Sequence, residues 1–451
     1  MGDPAPVAAS HSGFAEAFAL GLESADFAAL VARYAEDARF DALVPGRRVQ
    51  LEGGHAIVAQ LERWWPEPGT VLRWQVDEFP SGLTIEFERE VEGGRVWRQR
   101  QFVHLTDGKV SRHQVYAARP QSAAEAPPPS ALAPRLLGEL GEVVSLEPLV
   151  HAGQAGAWIE RATLADGRRY VVKRLLPERD LLGRLAGLTQ SIEVRLWETR
   201  AFERLPAEID TAIVVAAQDD GEAVLVMRDV SEALVGVSRP LRREESGRFL
   251  HALATIHRSF ADADYDFLCP AAAYVQLLAP EVIAPGAGDL DYIPKIVVVG
   301  WEVFAESAPR AVVEAVFGVH ADAASLAAAL GAGFGHGDFR CANLGLEPGR
   351  VVVLDWGIST RAPGVMDLAW YLFVNGWRVE ASKEELIADY RVAAGELFDE
   401  RTLRLGLFAG LAWFGGLLSH ELIESDAAKR ERARRELDWW CDRALETLPL
   451  L

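Results

Sequence analysis

Along the first part of the chain the apolar residues recur every three or four positions. Phe14 to Leu22 shows this spacing, and so do Phe27, Leu30, Val31 and Tyr34, with Ser24 or Asp26 placed to cap the second group; both predict amphipathic helices. A third short helix is expected at 56–65. The period then drops to two, as Leu83, Ile85 and Phe87 alternate with Thr84, Glu86 and Glu88, and strands are expected at 71–79, 83–91, 95–105 and 110–116. Glu92-Gly93-Gly94 and Asp107-Gly108 supply the turns, the second a strong hairpin signal. Helices followed by an antiparallel meander imply an α+β half-barrel.

Periodicity lapses at 119–134, where five prolines sit among small residues, the composition of a linker. Beyond it, apolar runs predict strands at 143–150, 157–163 and 169–173, then a helix, then strands at 212–217 and 223–228. From about Leu241 the pattern is mostly helical, with Phe249, Leu250, Leu253, Ile256 and Phe260 on one face. The reading is an N-terminal domain at 1–118, a Pro/Ala-rich linker at 119–134, and a second domain at 135–451 made of a β-rich small lobe to about 230 and a helical large lobe. A chain of 451 residues calls for at least two cores.

The first segment resembles the NTF2-like/SnoaL-like family over most of 12–118. The resemblance rests on the stretch Tyr34-Ala-Glu-Asp-Ala-Arg-Phe40, read as helix, on the turn Gly53-Gly-His-Ala-Ile57 into a helix, and on the final curved strands. It implies a cone of helices on a curved antiparallel sheet enclosing an apolar cavity. Some members use Asp and His there for proton transfer, whereas many are binding or dimerisation modules. Asp37, His104, His113 and Tyr116 are the residues that would line such a cavity, or they are an ordinary solvated Asp and satisfied strand histidines. Trp64, Trp65, Trp74 and Trp97 read as core and rim.

Composition narrows the functional classes. The formal net charge is -20 and most of the acidic excess follows residue 120, which argues against nucleic acid as a partner, since phosphate backbones require a basic surface. An acidic second domain suits a cationic small molecule, or it serves solubility alone. Cys269, Cys341 and Cys441 are widely spaced, so neither disulfides nor a zinc site is expected. No secretory leader pattern opens the chain, and the apolar run at 405–418 is shorter than the roughly 20 residues of a spanning helix, so a cytoplasmic protein without a membrane partner is expected.

The chemistry concentrates in His336-Gly-Asp-Phe-Arg-Cys-Ala-Asn343 and in Asp355, twelve residues beyond Asn343 at the end of the apolar run Val351-Val-Val-Leu354. Four residues between Asp338 and Asn343 allow one side chain to face an acceptor hydroxyl and the other a magnesium ion, which prefers hard carboxylate and amide oxygens. Each residue read alone has an ordinary structural explanation. Together they resemble the aminoglycoside phosphotransferase/choline kinase superfamily over roughly 140–445, whose catalytic loop reads His-Gly-Asp with Asn four residues later, followed by Asp-Trp or Asp-Phe. Ala362-Pro-Gly-Val-Met-Asp-Leu-Ala369 also resembles that family's Pro-x-x-x-Asp-Leu-Ala segment. Arg340-Cys-Ala342 departs from the family's commoner His-Pro/Gly spacing.

The resemblance implies a bilobal, protein-kinase-like fold and transfer of the γ-phosphate of ATP, or GTP, to a small-molecule hydroxyl. Asp338 would be the catalytic base and His336 its brace. Asn343 and Asp355 would hold magnesium, with Asp367 anchoring the loop. Lys173 would hold the α- and β-phosphates; it is the lone lysine between Lys109 and Lys295 in a chain of five lysines and 41 arginines. Glu198 is the favoured partner for Lys173, with Glu193 and Glu203 nearby. Gly153 and Gly156 in His151-Ala-Gly-Gln-Ala-Gly156 would cover the nucleotide, and Met227 and Asp229 would form the interlobe hinge against adenine. A nucleotide-binding regulator without transfer activity, and an enzymatic or dimerising N-terminal domain, homodimer included, are the competing readings.

Overall fold

A computed structural model describes residues 8–44, 47–79, 82–91, 95–122, 130–149, 157–177, 180–219, 221–236, 239–286, 293–423 and 427–451. The chain divides into two compact units, Met1–Pro128 with Ala287–Ser307 and Gly416–Asp438, and Pro129–Gly286 with Ala308–Gly415 and Trp439–Leu451. The sequence places both later segments of the first unit in the second domain. They join the first because Ile296, Val299, Val303 and Ile423 close over Phe102.

The first unit is a six-stranded sheet in the order β2-β1-β6-β5-β4-β3. Its elements are α1 (Ala8–Ser24), β1 (Tyr34–Val44), β2 (Arg47–Glu52), α2 (Gly54–Trp64), β3 (Val71–Phe79), β4 (Gly82–Val91), β5 (Arg95–Thr106) and β6 (Lys109–Ser122). All neighbouring pairs are antiparallel except β1 with β6. Helices over a largely antiparallel sheet give the α+β class that the alternation implies.

Two local readings are corrected. The segment Tyr34–Phe40 is strand, not helix: Ala38, Phe40 and Ala42 are buried on one side while Arg39 points outward, a period of two concealed by the small alanines. The group at Phe27 to Tyr34 forms a 3₁₀ turn, Ala28–Arg33, started by an Asp26 carboxylate that accepts from the Ala28 N–H at 3.0 Å. The Asp107-Gly108 hairpin is present, both residues having positive φ, 51° and 76°. Glu92 to Gly94 lies outside the described residues. Trp65 is buried, and Trp64, Trp74 and Trp97 pack against the same core.

The second unit opens with α3 (Leu132–Leu140) on one face of a five-stranded antiparallel sheet, order β11-β12-β9-β8-β7. The strands are β7 (Val143–Pro148), β8 (Trp158–Leu164), β9 (Arg169–Leu175), β11 (Ile213–Asp219) and β12 (Glu222–Arg228). α4 (Leu181–Leu185) and α5 (Ile192–Glu198) follow β9. Alternation along β9 buries Tyr170, Val172 and Arg174, leaving Lys173 on the opposite side. A short sheet, β10 (Ile209–Asp210) with β14 (Arg350–Val353) and β13 (Leu344–Glu347), ties the small lobe to the start of the large one.

The large lobe is helical. Phe249, Leu250, Leu253 and Ile256 of α6 (Arg243–Ser259) are fully buried, as their spacing predicts, with Phe260 beyond the helix end. Helix Glu400–His420 is long and apolar enough to cross a membrane by length and composition, and most of its residues are buried inside the protein.

Candidate active site

Lys173 leaves β9 toward the large lobe and meets two carboxylates. Its Nζ lies 2.8 Å from Glu193 Oε2 and 2.7 Å from Asp355 Oδ1. Burial opposes a charge on this ammonium, but the Asp355 and Glu193 carboxylates outweigh it and hold the pKa above the ordinary lysine value. The Lys173 charge draws the Asp355 carboxyl down, whereas burial leaves Glu193 above the usual carboxylate range.

This corrects the expectation that Glu198 pairs with Lys173. Glu198 is exposed and pairs with Arg195 at 3.1 Å. Helix α5 begins after Ser191, whose hydroxyl accepts from the Val194 N–H, so Glu193 falls in the first turn, facing the sheet. Five residues further on, about 500° of helical rotation turns Glu198 roughly 140° away. Glu193 also accepts the Trp356 N–H at 3.1 Å, linking the small lobe to the residue after Asp355.

Asp355 follows β14 with φ 66°, a left-handed conformation costly for a residue bearing a Cβ. The Leu354 N–H donates to the Asn343 carbonyl at 2.9 Å, which brings the two proposed metal-binding residues to one place. The Asn343 Nδ2 donates to the Asp338 carbonyl and to Asp338 Oδ2, each at 2.9 Å, leaving its amide oxygen as an acceptor.

Asp338 also accepts from Trp370 Nε1 on Oδ1 at 2.8 Å and from Arg340 Nε on Oδ2 at 3.0 Å. Burial pushes its pKa up to about 6, against the lowering pull of Arg340. Arg340, at the point where the motif departs from the family it resembles, therefore sits on the carboxylate.

The loop is held from below. Asp367, fully buried, accepts the His336 and Gly337 N–H groups at 2.7 Å each and His257 Nε2 at 3.0 Å; His257 Nδ1 in turn accepts from the Tyr390 hydroxyl. His336 donates through Nε2 to the Leu354 carbonyl at 3.1 Å and accepts the Asp338 N–H on Nδ1 at 3.2 Å. Burial lowers its pKa to about 4, so the ring is neutral at pH 7. Gly337 has φ 88°, and a Cβ there would strike the Ile358 carbonyl oxygen.

Lys173, Glu193, Asp338 and Asp355 thus line one cavity of about 70 Å³, together with Asp180, whose carboxyl burial raises to about 6. Met227 and Asp229 do not line it. The Met227 side chain packs in a cluster with Val230 and Val352, while Asp229 takes Arg161 Nε at 2.9 Å and its N–H donates to the Arg169 carbonyl. Gly153 and Gly156 lie outside the described residues. Trp370 and His257 escaped the sequence reading and lack a local signature, while Glu193 stood there only as an alternative to Glu198, the N-cap serine before it being the signal that favours it.

In the first unit, His113 is fully buried. Its Nδ1 accepts from the Tyr34 hydroxyl at 2.7 Å and its Nε2 donates to Gln101 Oε1 at 2.9 Å, with Phe14, Phe18 and Phe40 around the ring. Burial lowers its pKa to about 3. Asp37 is exposed on β1 and His104 is partly buried on β5, while Tyr116 pairs with Leu43 and Arg100 in the sheet. The structure does not gather Asp37 with His113.

Among solved structures, the chain is similar to the choline kinase LicA from Streptococcus pneumoniae at 14% identity and TM-score 0.41, covering 69% of this chain and 98% of that one. A fructosamine-3-kinase from Thermobifida fusca shows 18% identity and TM-score 0.37, covering 70% and 99%. An NTF2-like protein from Anabaena variabilis shows 14% identity and TM-score 0.22, covering 26% of this chain and 95% of that one. No curated protein matches the chain in sequence. The phosphotransferase enzyme family (APH) matches residues 149–405, more than half of the chain and all of the residues around Lys173, Asp338 and Asp355, and the chain belongs to that family.

Proposed function

We propose that the second unit transfers the γ-phosphate of Mg-ATP to a hydroxyl of a small molecule, with Asp338 as the base. The observation that carries this reading is the meeting of Lys173 from the small lobe with Asp355 from the large lobe, 2.7 Å apart, beside a loop that holds Asp338 and Asn343 together. Phosphoryl transfer consists mainly of positioning and charge neutralisation, and these residues supply both.

A magnesium ion fits the donor set. The Asn343 amide oxygen and the second Asp355 oxygen are hard donors on segments joined by the bond from the Leu354 N–H to the Asn343 carbonyl, and two protein oxygens suffice for an ion that keeps phosphate and water ligands. When bound, the ion would neutralise phosphate charge. Lys173 would exchange its carboxylate partner Asp355 for the nucleotide phosphates while Glu193 keeps it oriented. The shared cavity of about 70 Å³ is smaller than a nucleotide, so in this reading the lobes part on binding.

In the reacting complex the acceptor O–H would donate to Asp338, its oxygen would bond to the γ-phosphorus, and the bond to the β-phosphate oxygen would break, leaving ADP. Trp370 and Asn343 fix the carboxylate, and Arg340, whose Nε donates to Asp338, would offer its outer nitrogens to phosphoryl oxygens. The acceptor is a hydroxylated small molecule; the acidic surface favours a cationic one, such as an amino alcohol or amino sugar. The first unit is assigned no chemistry, since both nitrogens of His113 are engaged within its core.

ADP formation measured across a panel of aminoglycosides, amino alcohols and sugars tests the reading. It expects acceptor-dependent ADP and a phosphorylated product. Nucleotide binding without turnover on any acceptor would favour a nucleotide-binding regulator instead.

A further inference from the structure

A second recess lies on the far face of the small-lobe sheet. Residues 172 and 174 of β9 point away from Lys173 and, with α3 and β7, enclose a groove of about 740 Å³. Its walls include Leu137, Val143, Leu146 and Val172, and Val143 and Leu146 are large apolar side chains left exposed.

The floor is charged and unbalanced. Arg174, almost fully buried, donates from Nε to Glu222 at 2.7 Å, and Glu222 is further engaged by the Ser130 hydroxyl at 2.5 Å. Glu160 is 9% exposed and lines the groove, and among the described residues its buried Oε2 has no hydrogen-bond donor, Arg174 standing off at an ion-pair distance of 3.9 Å. Glu142 stands at the wall. The groove lining thus carries two carboxylates, Glu142 and Glu160, and one guanidinium, that of Arg174, which also serves Glu222 outside it. A buried carboxylate oxygen normally accepts a hydrogen bond, so Glu160 Oε2 keeps an acceptor capacity that the described residues leave unmet.

We infer that this groove is a binding site for a small organic cation with an apolar body, its ammonium or amidinium group on Glu160 and its hydrocarbon against Leu137, Val143, Leu146 and Val172. An anion of the same shape is rejected by the carboxylate excess, and a neutral analogue gives Glu160 only a single weak donor. The site is separate from the phosphate cleft, because adjacent residues of one strand face opposite sides of the sheet.

Calorimetric titration of the whole protein with hexylammonium, hexanoate and 1-hexanol tests the inference. Hexylammonium is expected to saturate one site, with 1-hexanol at least about tenfold weaker and hexanoate silent. Glu160→Gln, nearly isosteric, should weaken hexylammonium by about tenfold or more. Should that variant misfold, Val143→Arg, on an exposed edge-strand position, supplies a cation and bulk at the groove mouth and should abolish binding in a folded protein. Absence of saturation by about 10 mM hexylammonium, equal binding of hexanoate, or unchanged affinity in both variants overturns it.

Discussion

Lys173 and Asp355 are 182 positions apart in sequence, yet their charged atoms are 2.7 Å apart, with Glu193 completing the cluster from the other side of the ammonium. The ion pair joins the two lobes at the cavity to which the proposed function assigns a metal-bound triphosphate.

Removing one partner of a buried charged pair costs roughly 2 kcal/mol or more, about thirtyfold in an equilibrium. Glu193→Gln should therefore reduce kcat/KM for ATP by about that factor. Glu198→Gln, an exposed residue paired with Arg195, should leave it within about twofold. Steady-state kinetics on the two variants compares them directly, and a larger loss for Glu198→Gln would reverse the assignment.

Asp338 must be ionised to accept a proton, and its pKa is raised to about 6. Activity should be full above that value and fall about tenfold per pH unit below it, as the carboxyl takes up a proton. Arg340 pulls the pKa down, so Arg340→Ala should move the acid limb of the kcat/KM profile to higher pH. A limb that stays in place would separate Arg340 from the base.

Gly337 occupies a conformation that favours glycine and has no room for a side chain. Gly337→Ala should lower the unfolding free energy by about 2 kcal/mol or more through strain and displacement of the 358 peptide. The midpoint of urea unfolding measures it. A shift of only a few tenths would show that the loop relaxes freely.

His113 is buried with its pKa lowered from 6.5 to about 3, so the folded state binds fewer protons than the unfolded state in that window. Its contribution is therefore complete above pH 6.5 and is lost as the pH falls toward 3, by at most about 1.4 kcal/mol per unit. Urea unfolding from pH 7 to 4 should be less acid-sensitive in His113→Gln than in the natural chain. Equal slopes would place a different group in control.

Much of the second unit was legible because its strands are short apolar runs between turns, and because Asp338, Asn343 and Asp355 lie within eighteen consecutive residues. The identity of the Lys173 partner was harder to read. Glu193 and Glu198 are both on α5, and a one-dimensional pattern distinguishes them only once the cap at Ser191 fixes where the helix starts. In the first unit, Ala38 and Ala42 muted the alternation of β1, and its parallel pairing with β6 is a long-range fact with no local signature. The assembly of 287–307 and 416–438 with the N-terminal unit is likewise a property of packing alone.

The most direct test of the central claim compares MgATP binding and acceptor-dependent ADP formation in the natural chain, Lys173→Ala and Asp338→Asn. The account predicts that Lys173→Ala weakens nucleotide binding, whereas Asp338→Asn binds MgATP within about twofold of the natural chain and transfers phosphate roughly 10²–10⁴-fold more slowly. Undiminished transfer by Asp338→Asn, or undisturbed nucleotide binding by Lys173→Ala, would contradict it.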